Sequence, residues 1–148
     1  MTITYDDIQM ALAALSHEDY NHRGDRDLNG HLGHLFQHAD AQAAVLIPLI
    51  ERDGRIFVIL TQRPQTMRQH AGQISFPGGR EDPDDPDETY TALREAEEEI
   101  GLKPDRVEIL GNLPLYETRT KYAVLPVVGK VDPTFEPVPN PEEVDAVI

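Results

Sequence analysis

The chain contains no cysteine and no tryptophan among its 148 residues. Without thiols there is no disulfide, no cysteine nucleophile and no thiolate metal site, so any metal must be held by oxygen or imidazole. Positive charge is scarce as well: 13 Lys and Arg stand against 27 Asp and Glu, a formal net charge of −14. A chain this acidic is a poor partner for nucleic acid or an anionic membrane surface, and it binds an anion only through a local device. No apolar run approaches the roughly 18 residues of a membrane span, and the start of the chain, with Asp6 and Asp7, lacks the basic region of a signal peptide. What is left is one ordinary domain with a real core, cytoplasmic by expectation, whose partner is a small molecule. A homodimer is left open.

Residues 5–15 read as a helix, because Thr4 and Asp7 form a capping pair and Ile8, Leu12 and Leu15 recur at helical spacing. Residues 16–37 are polar and rich in Asn, Gly and His, a linker with room for a ragged helix near 28–36. Segments 43–50 and 55–61 read as strands, joined by the hairpin signal Asp53-Gly54. Segment 62–84 is broken by prolines and glycines, and a loop of that length in a compact domain is usually functional. A helix is predicted over 86–100, with Asp85 as N-cap, Pro86 first, Glu88 third and Gly101 as the left-handed stop. Segments 107–112, 113–118 and 122–131 read as strands, where Pro114 and Pro126 mark edges or bulges. Strands, a central helix and more strands make an α+β sheet domain.

The chemistry gathers on the predicted helix. With Glu95 at zero and about 100° per residue, Glu98 falls near 300° and Glu99 near 40°, while Leu93, Ala96 and Ile100 lie between about 100° and 160°. Three carboxylates thus share one face, against their mutual repulsion and against the helix dipole. Arg94 neutralises one of them, and a hard divalent cation suits the rest. A solvated acidic face is the plainer reading. The neighbouring FPGGRED favours the cation, since Gly78 and Gly79 can bring backbone N–H groups close to phosphate oxygens.

Gly79, Asp85 and the run REAEEEIGL from Arg94 to Leu102 resemble the Nudix box, which reads Gly, five residues, Glu, seven residues, then Arg-Glu-U-x-Glu-Glu-x-Gly-U, with U a bulky aliphatic. Here Asp85 stands at the first Glu, eight residues precede Arg94, and Ala96 is the first U. The extra residue is similar to the coenzyme A pyrophosphatase branch, and so is the upstream ILTQRPQTMRQHAGQISFPGG, with Leu60, Thr61, Arg63, Arg68, His70, Gly72, Gln73, Phe76, Pro77, Gly78 and Gly79 at branch positions. Pro64 stands where the branch usually has Ser. LPLYETRTKYAVLPVVG and PNPEEV, the latter from Pro139 to Val144, extend the resemblance over about 43–148.

The resemblance implies a Nudix α/β/α sandwich with a mixed central sheet. It would occupy residues 41–148 after an N-terminal helical and linker extension, 1–40, and would lack the C-terminal strand and helix usual in the family. It implies hydrolysis of a nucleoside diphosphate linkage with Mg²⁺ or Mn²⁺, and for coenzyme A the products 3′,5′-ADP and 4′-phosphopantetheine. NADH, ADP-ribose or a nucleoside triphosphate are the alternative substrates, and a nucleotide-binding module without catalysis is the alternative of another class. Glu95, Glu98 and Glu99 form the expected ligand set, Arg94 orients a carboxylate, and the general base is either Glu98 or Glu143. Arg63, Arg68 and His70 are expected at substrate phosphates or, alternatively, as braces of their loop. Gln73 and Phe76 are divided between substrate contact and packing. His31, His34 and His38 are not read as a metal site, and Tyr116 and Tyr122 read as strand residues, with Tyr116 alternatively bordering the substrate.

Overall fold

The computed structural model describes residues 3–22, 42–64, 72–117, 123–141, 144 and 146–148. The expectations for 28–36, the three histidines, Arg68, His70, Tyr122 and Glu143 lie outside them.

Helix α1 (Tyr5–His22) runs further than the sequence predicted. Its start follows the capping box, in which Asp7 N donates to Thr4 Oγ1 (3.2 Å) and Thr4 N to Asp7 Oδ2 (3.0 Å). Strand β1 (Ala43–Arg52) turns through Asp53-Gly54, both at positive φ as a two-residue hairpin turn requires, into β2 (Arg55–Val58). Two short strands follow, β3 (Thr61–Gln62) and β4 (Ile74–Ser75), and then β5 (Gly78–Arg80). Helix α2 spans Glu88–Ile100, and a 3₁₀ turn at Pro104–Arg106 leads into β6 (Val107–Asn112), β7 (Tyr116–Glu117), β8 (Ala123–Val131) and β9 (Ala146–Val147).

The main sheet has the order β2-β1-β8-β6, with β5 also on β1 and β7 also on β8. Only β1 and β8 run parallel, so the sheet is mixed. Alternation along β1 divides two cores. Ala44, Leu46 and Ile50 join Ala92, Ala96, Ile100 and Leu102 of α2 and its C-terminal end, whereas Leu49 and Ile47 join Leu12, Ile8 and Tyr5 of α1. Leu46 and Ile100 are fully buried, each worth about 1.5–3 kcal/mol of apolar burial. Helices therefore cover both faces, an α/β/α layering.

The structure corrects three readings. The strand expected over 55–61 is two: after Val58 the chain leaves the main sheet, and Thr61 and Gln62 pair with β4 and β9 instead. The segment expected as pure loop, 62–84, supplies β4 and β5. Pro126 lies inside a central strand rather than at an edge. It is tolerated because β8 changes partner there, from β7 at Ala123 and Val124 to β6 from Val127 onward, and Pro126 O accepts from Leu113 N in the gap. The missing N–H faces that same gap. Pro48 sits likewise in β1, between the parts paired with β5 and with β2.

Candidate active site

Helix α2 carries the acidic ridge, and its two ends fix where the ridge stands. The N-cap is Asp87, whose side chain accepts from Tyr90 N at 2.8 Å, and not Asp85, so Pro86 precedes the helix instead of opening it. At the other end Gly101 adopts φ 73°, and its N–H and that of Leu102 return to Glu97 O and Ala96 O. Asn140 N and Val138 N donate to Glu99 O and Ile100 O, both at 2.8 Å. The segment leading to 139–144 thus caps the last turn, where three consecutive acids oppose the helix dipole.

Asp85 is buried because it holds Arg94. Arg94 Nε and Nη2 meet Asp85 Oδ1 and Oδ2 at 3.2 and 3.1 Å, a two-pronged pair, and Asp82 N and Thr91 Oγ1 complete Oδ2 at 2.9 and 2.8 Å. The guanidinium holds the Asp85 carboxyl below the usual carboxylate range, and Asp85 in turn raises Arg94 further above its ordinary value. Arg94 Nη2 also donates to Arg80 O at 3.0 Å. Its Nη1 reaches Glu95 Oε1 at 3.2 Å and both oxygens of Glu98 at 3.3 Å. One cation therefore gathers Asp85, Glu95 and Glu98.

Strand β5 forms the opposite wall. Gly78 N donates to Glu99 Oε2 at 2.7 Å, and Glu99 is only 9% exposed. A β-carbon on Gly79 would lie 2.6 Å from the Glu95 carboxyl carbon. Of the two glycines expected to cradle a phosphate, Gly79 faces Ala44 in the ladder with β1, and Gly78 N donates to Glu99. Gly79 is needed for the closeness of Glu95 to β5, and Gly78 for the closeness of β5 to β1, reasons that spacing alone does not reveal.

Glu95 and Glu99 thus stand one turn apart against β5, whereas Glu98, half-exposed, is turned to Arg94. Among the described residues no three acids or histidines form a ready metal cage. The donors nevertheless fit a hard divalent cation of the magnesium type, which takes oxygen ligands and is held by one or two carboxylates plus substrate phosphates rather than by an all-protein cage. Arg63 and Gln73 are brought together at the base of the β3–β4 hairpin, where Arg63 N donates to Gln73 O at 2.9 Å. The Arg63 Nε is buried and has no partner among the described residues, and the Gln73 side chain is exposed. Sequence reasoning missed Thr91 and the role of Asp85. The signal was there in a second cap residue, Asp87, which freed the first for Arg94.

Among the described residues no helix is long and apolar enough to cross a membrane. The peroxisomal coenzyme A diphosphatase NUDT7 of Mus musculus is 43% identical over 104 residues, 70% of this chain and 44% of that protein. The mitochondrial Nudix hydrolase 15 of Arabidopsis thaliana is 46% identical over 109 residues, covering 72% and 38%. The uncharacterized Nudix hydrolase NudL of Escherichia coli is 46% identical over 106 residues, covering 72% and 55%. The chain spans between 38% and 55% of the length of these relatives. Among solved structures, an Ap4A hydrolase binary complex from C. elegans superposes with a TM-score of 0.62 at 21% identity, covering 72% of this chain and 76% of that one. The Nudix hydrolase RenU of M. smegmatis does so with a TM-score of 0.62 at 20% identity, covering 74% and 69%. At such identities the likeness is one of fold, and it agrees with the α+β layering above. The NUDIX domain model matches residues 40–148, and with these relatives it establishes that the chain belongs to the Nudix hydrolase family.

Proposed function

We propose that the protein is a divalent-metal-dependent hydrolase of the diphosphate linkage in coenzyme A or its derivatives, releasing 3′,5′-ADP and 4′-phosphopantetheine or its acyl form. The observation that carries the chemistry is the pair Glu95 and Glu99 pressed against β5, with Arg94 locked by Asp85 beside them. The substrate rests on the 43% identity with a protein named as a coenzyme A diphosphatase, together with the upstream motif. Residues 41–148 are the catalytic unit in this reading, and 1–40 are the extension whose α1 packs on the far face of the sheet. The site of action is the cytoplasm.

Glu95 and Glu99 would hold Mg²⁺ or Mn²⁺, with Glu98 joining them from the side of Arg94. A bound divalent cation supplies neutralisation of the diphosphate charge and a more acidic water. Arg94, fixed by Asp85, keeps the Glu95 carboxylate oriented. Glu98 or Glu143 would take the proton of the attacking water, which adds to one phosphorus of the diphosphate as the bond from that phosphorus to the bridging oxygen breaks, and each product leaves with one of the two linked phosphates. Arg63, Arg68 and His70 supply positive charge for the 3′-phosphate or the diphosphate, and the Arg63 Nε, which has no partner among the described residues, suits such an anion.

Incubation with Mg²⁺ and coenzyme A, NADH, ADP-ribose or Ap4A, followed by product identification, tests this. Coenzyme A is expected to give 3′,5′-ADP at least tenfold faster than any other substrate reacts. Faster AMP release from NADH or ADP-ribose would overturn the substrate assignment, and binding without turnover of any of them would make the domain a nucleotide sensor. Glu99→Gln is expected to abolish turnover while preserving the fold.

A further inference from the structure

Thr91 lies in the first turn of α2, is fully buried, and belongs to no substrate or metal contact described so far. Its hydroxyl has a single proton. Oγ1 lies 2.8 Å from Asp85 Oδ2 and 3.2 Å from Asp87 O, and the shorter contact is to the charged acceptor. If the residue served only to fill space, valine would match its shape without a hydroxyl to satisfy, so the buried oxygen points to the hydrogen bond itself.

The two-pronged contact aligns the Asp85 carboxylate with the guanidinium plane, yet by itself it does not fix where the pair sits relative to the helix. Thr91 Oγ1 at 2.8 Å and Asp82 N at 2.9 Å both donate to Oδ2, the oxygen that also meets Arg94 Nη2, and so tie the pair to the helix and to the loop before it. The line then runs from Thr91 through Asp85 to Arg94, whose Nη1 reaches Glu95 and Glu98. We infer that Thr91 is a positioning residue: through Asp85 and Arg94 it sets where the Glu95 and Glu98 carboxylates stand, and thereby how tightly the ridge holds a divalent cation. The inference rests on the metal-dependent reading above and extends it to a residue that touches neither metal nor substrate.

The test is direct titration with Mn²⁺, following the signal of the free ion by electron paramagnetic resonance without substrate, alongside melting temperature. Thr91→Val is expected to raise the Mn²⁺ dissociation constant about tenfold, the lower end of what loss of an outer-shell partner does to metal sites. Thr91→Ser, which keeps the hydroxyl, is expected to stay within about twofold of the unaltered protein, a rescue that a purely space-filling role would not produce. In an Asp85→Asn background, Thr91→Val is expected to add no further loss of affinity, because the relay is already broken. Should Thr91→Val fail to fold, Thr91→Ala carries the same comparison. Wild-type affinity in a folded Thr91→Val or Thr91→Ala protein, or a full additional loss in the Asp85→Asn background, overturns the inference and leaves the proposed function standing. Failure of the unaltered protein to bind Mn²⁺ overturns both.

Discussion

Gly78 and Gly79 are adjacent and identical in chemistry, yet their surroundings assign them opposite failures. A β-carbon on Gly79 would meet the tip of the Glu95 side chain, a movable group, so the fold can yield by turning the carboxylate away. A β-carbon on Gly78 would lie 2.5 Å from Ala44 O and 2.6 Å from Val45 Cα, which are backbone and cannot yield without opening the sheet. Gly79→Ala is therefore expected to keep its melting temperature within about 2 °C and lose turnover by about a hundredfold. Gly78→Ala is expected to cost about 1–3 kcal/mol as an overpacked site, a fall of roughly 3–10 °C. Thermal melts and initial rates on the two variants decide it, and equal loss of stability in both would refute the placement of Glu95. At this scale the sequence singled out residues that the structure brings together, the two glycines with Glu95 and Glu99, and Glu98 at Arg94. It was less informative about why, because the contact that makes Gly79 necessary comes from a side chain sixteen positions on.

At the scale of elements, α2 was readable to within two residues. The error of those two residues carries the chemistry. Asp85-Pro86-Asp87-Glu88 offers two caps, and propensity alone cannot choose between them; the choice is made by Arg94, nine residues beyond Asp85, which claims the first and leaves the second to Tyr90 N. Asp87→Ala is thus expected to cost about 1 kcal/mol, some 2–4 °C in melting temperature, with turnover unchanged within about twofold. Asp85→Asn is expected to lower turnover tenfold or more, because Arg94 loses its anchor. Rates and melts on the pair check this, and the reverse pattern would restore Asp85 as the cap. Both ends of β6 and the start of β1 were legible, whereas β1 ran two residues further than expected and β2 was overrun, because Ile59 to Thr61 remain apolar or β-branched while changing sheets. Local composition does not record which neighbour a strand pairs with. The same limit explains Pro48 and Pro126, whose tolerance depends on gaps between partners on the neighbouring side.

For the whole molecule, a net charge of −14 and a ridge of acids make two different predictions about magnesium, and they can be separated. Any salt screens the self-repulsion of so acidic a chain and raises its stability modestly. Specific binding does more, since the ridge exists only when α2 is packed on β5, and the unfolded chain scatters Glu95 and Glu99. A ligand that binds only the folded state at a hundred times its dissociation constant adds about 2.7 kcal/mol, here roughly 5–10 °C. The melting temperature in Mg²⁺ is accordingly expected to exceed that in NaCl of equal ionic strength by about this margin, and to fall back when a chelator is added. Glu95→Gln combined with Glu99→Gln is expected to erase the margin. Glu97→Gln makes the fair control, because Glu97 is exposed on the same helix and its loss changes the net charge without touching β5. If Glu97→Gln alone erases as much of the margin as the double variant, magnesium acts on the charge of the molecule as a whole, and the ridge is not its site.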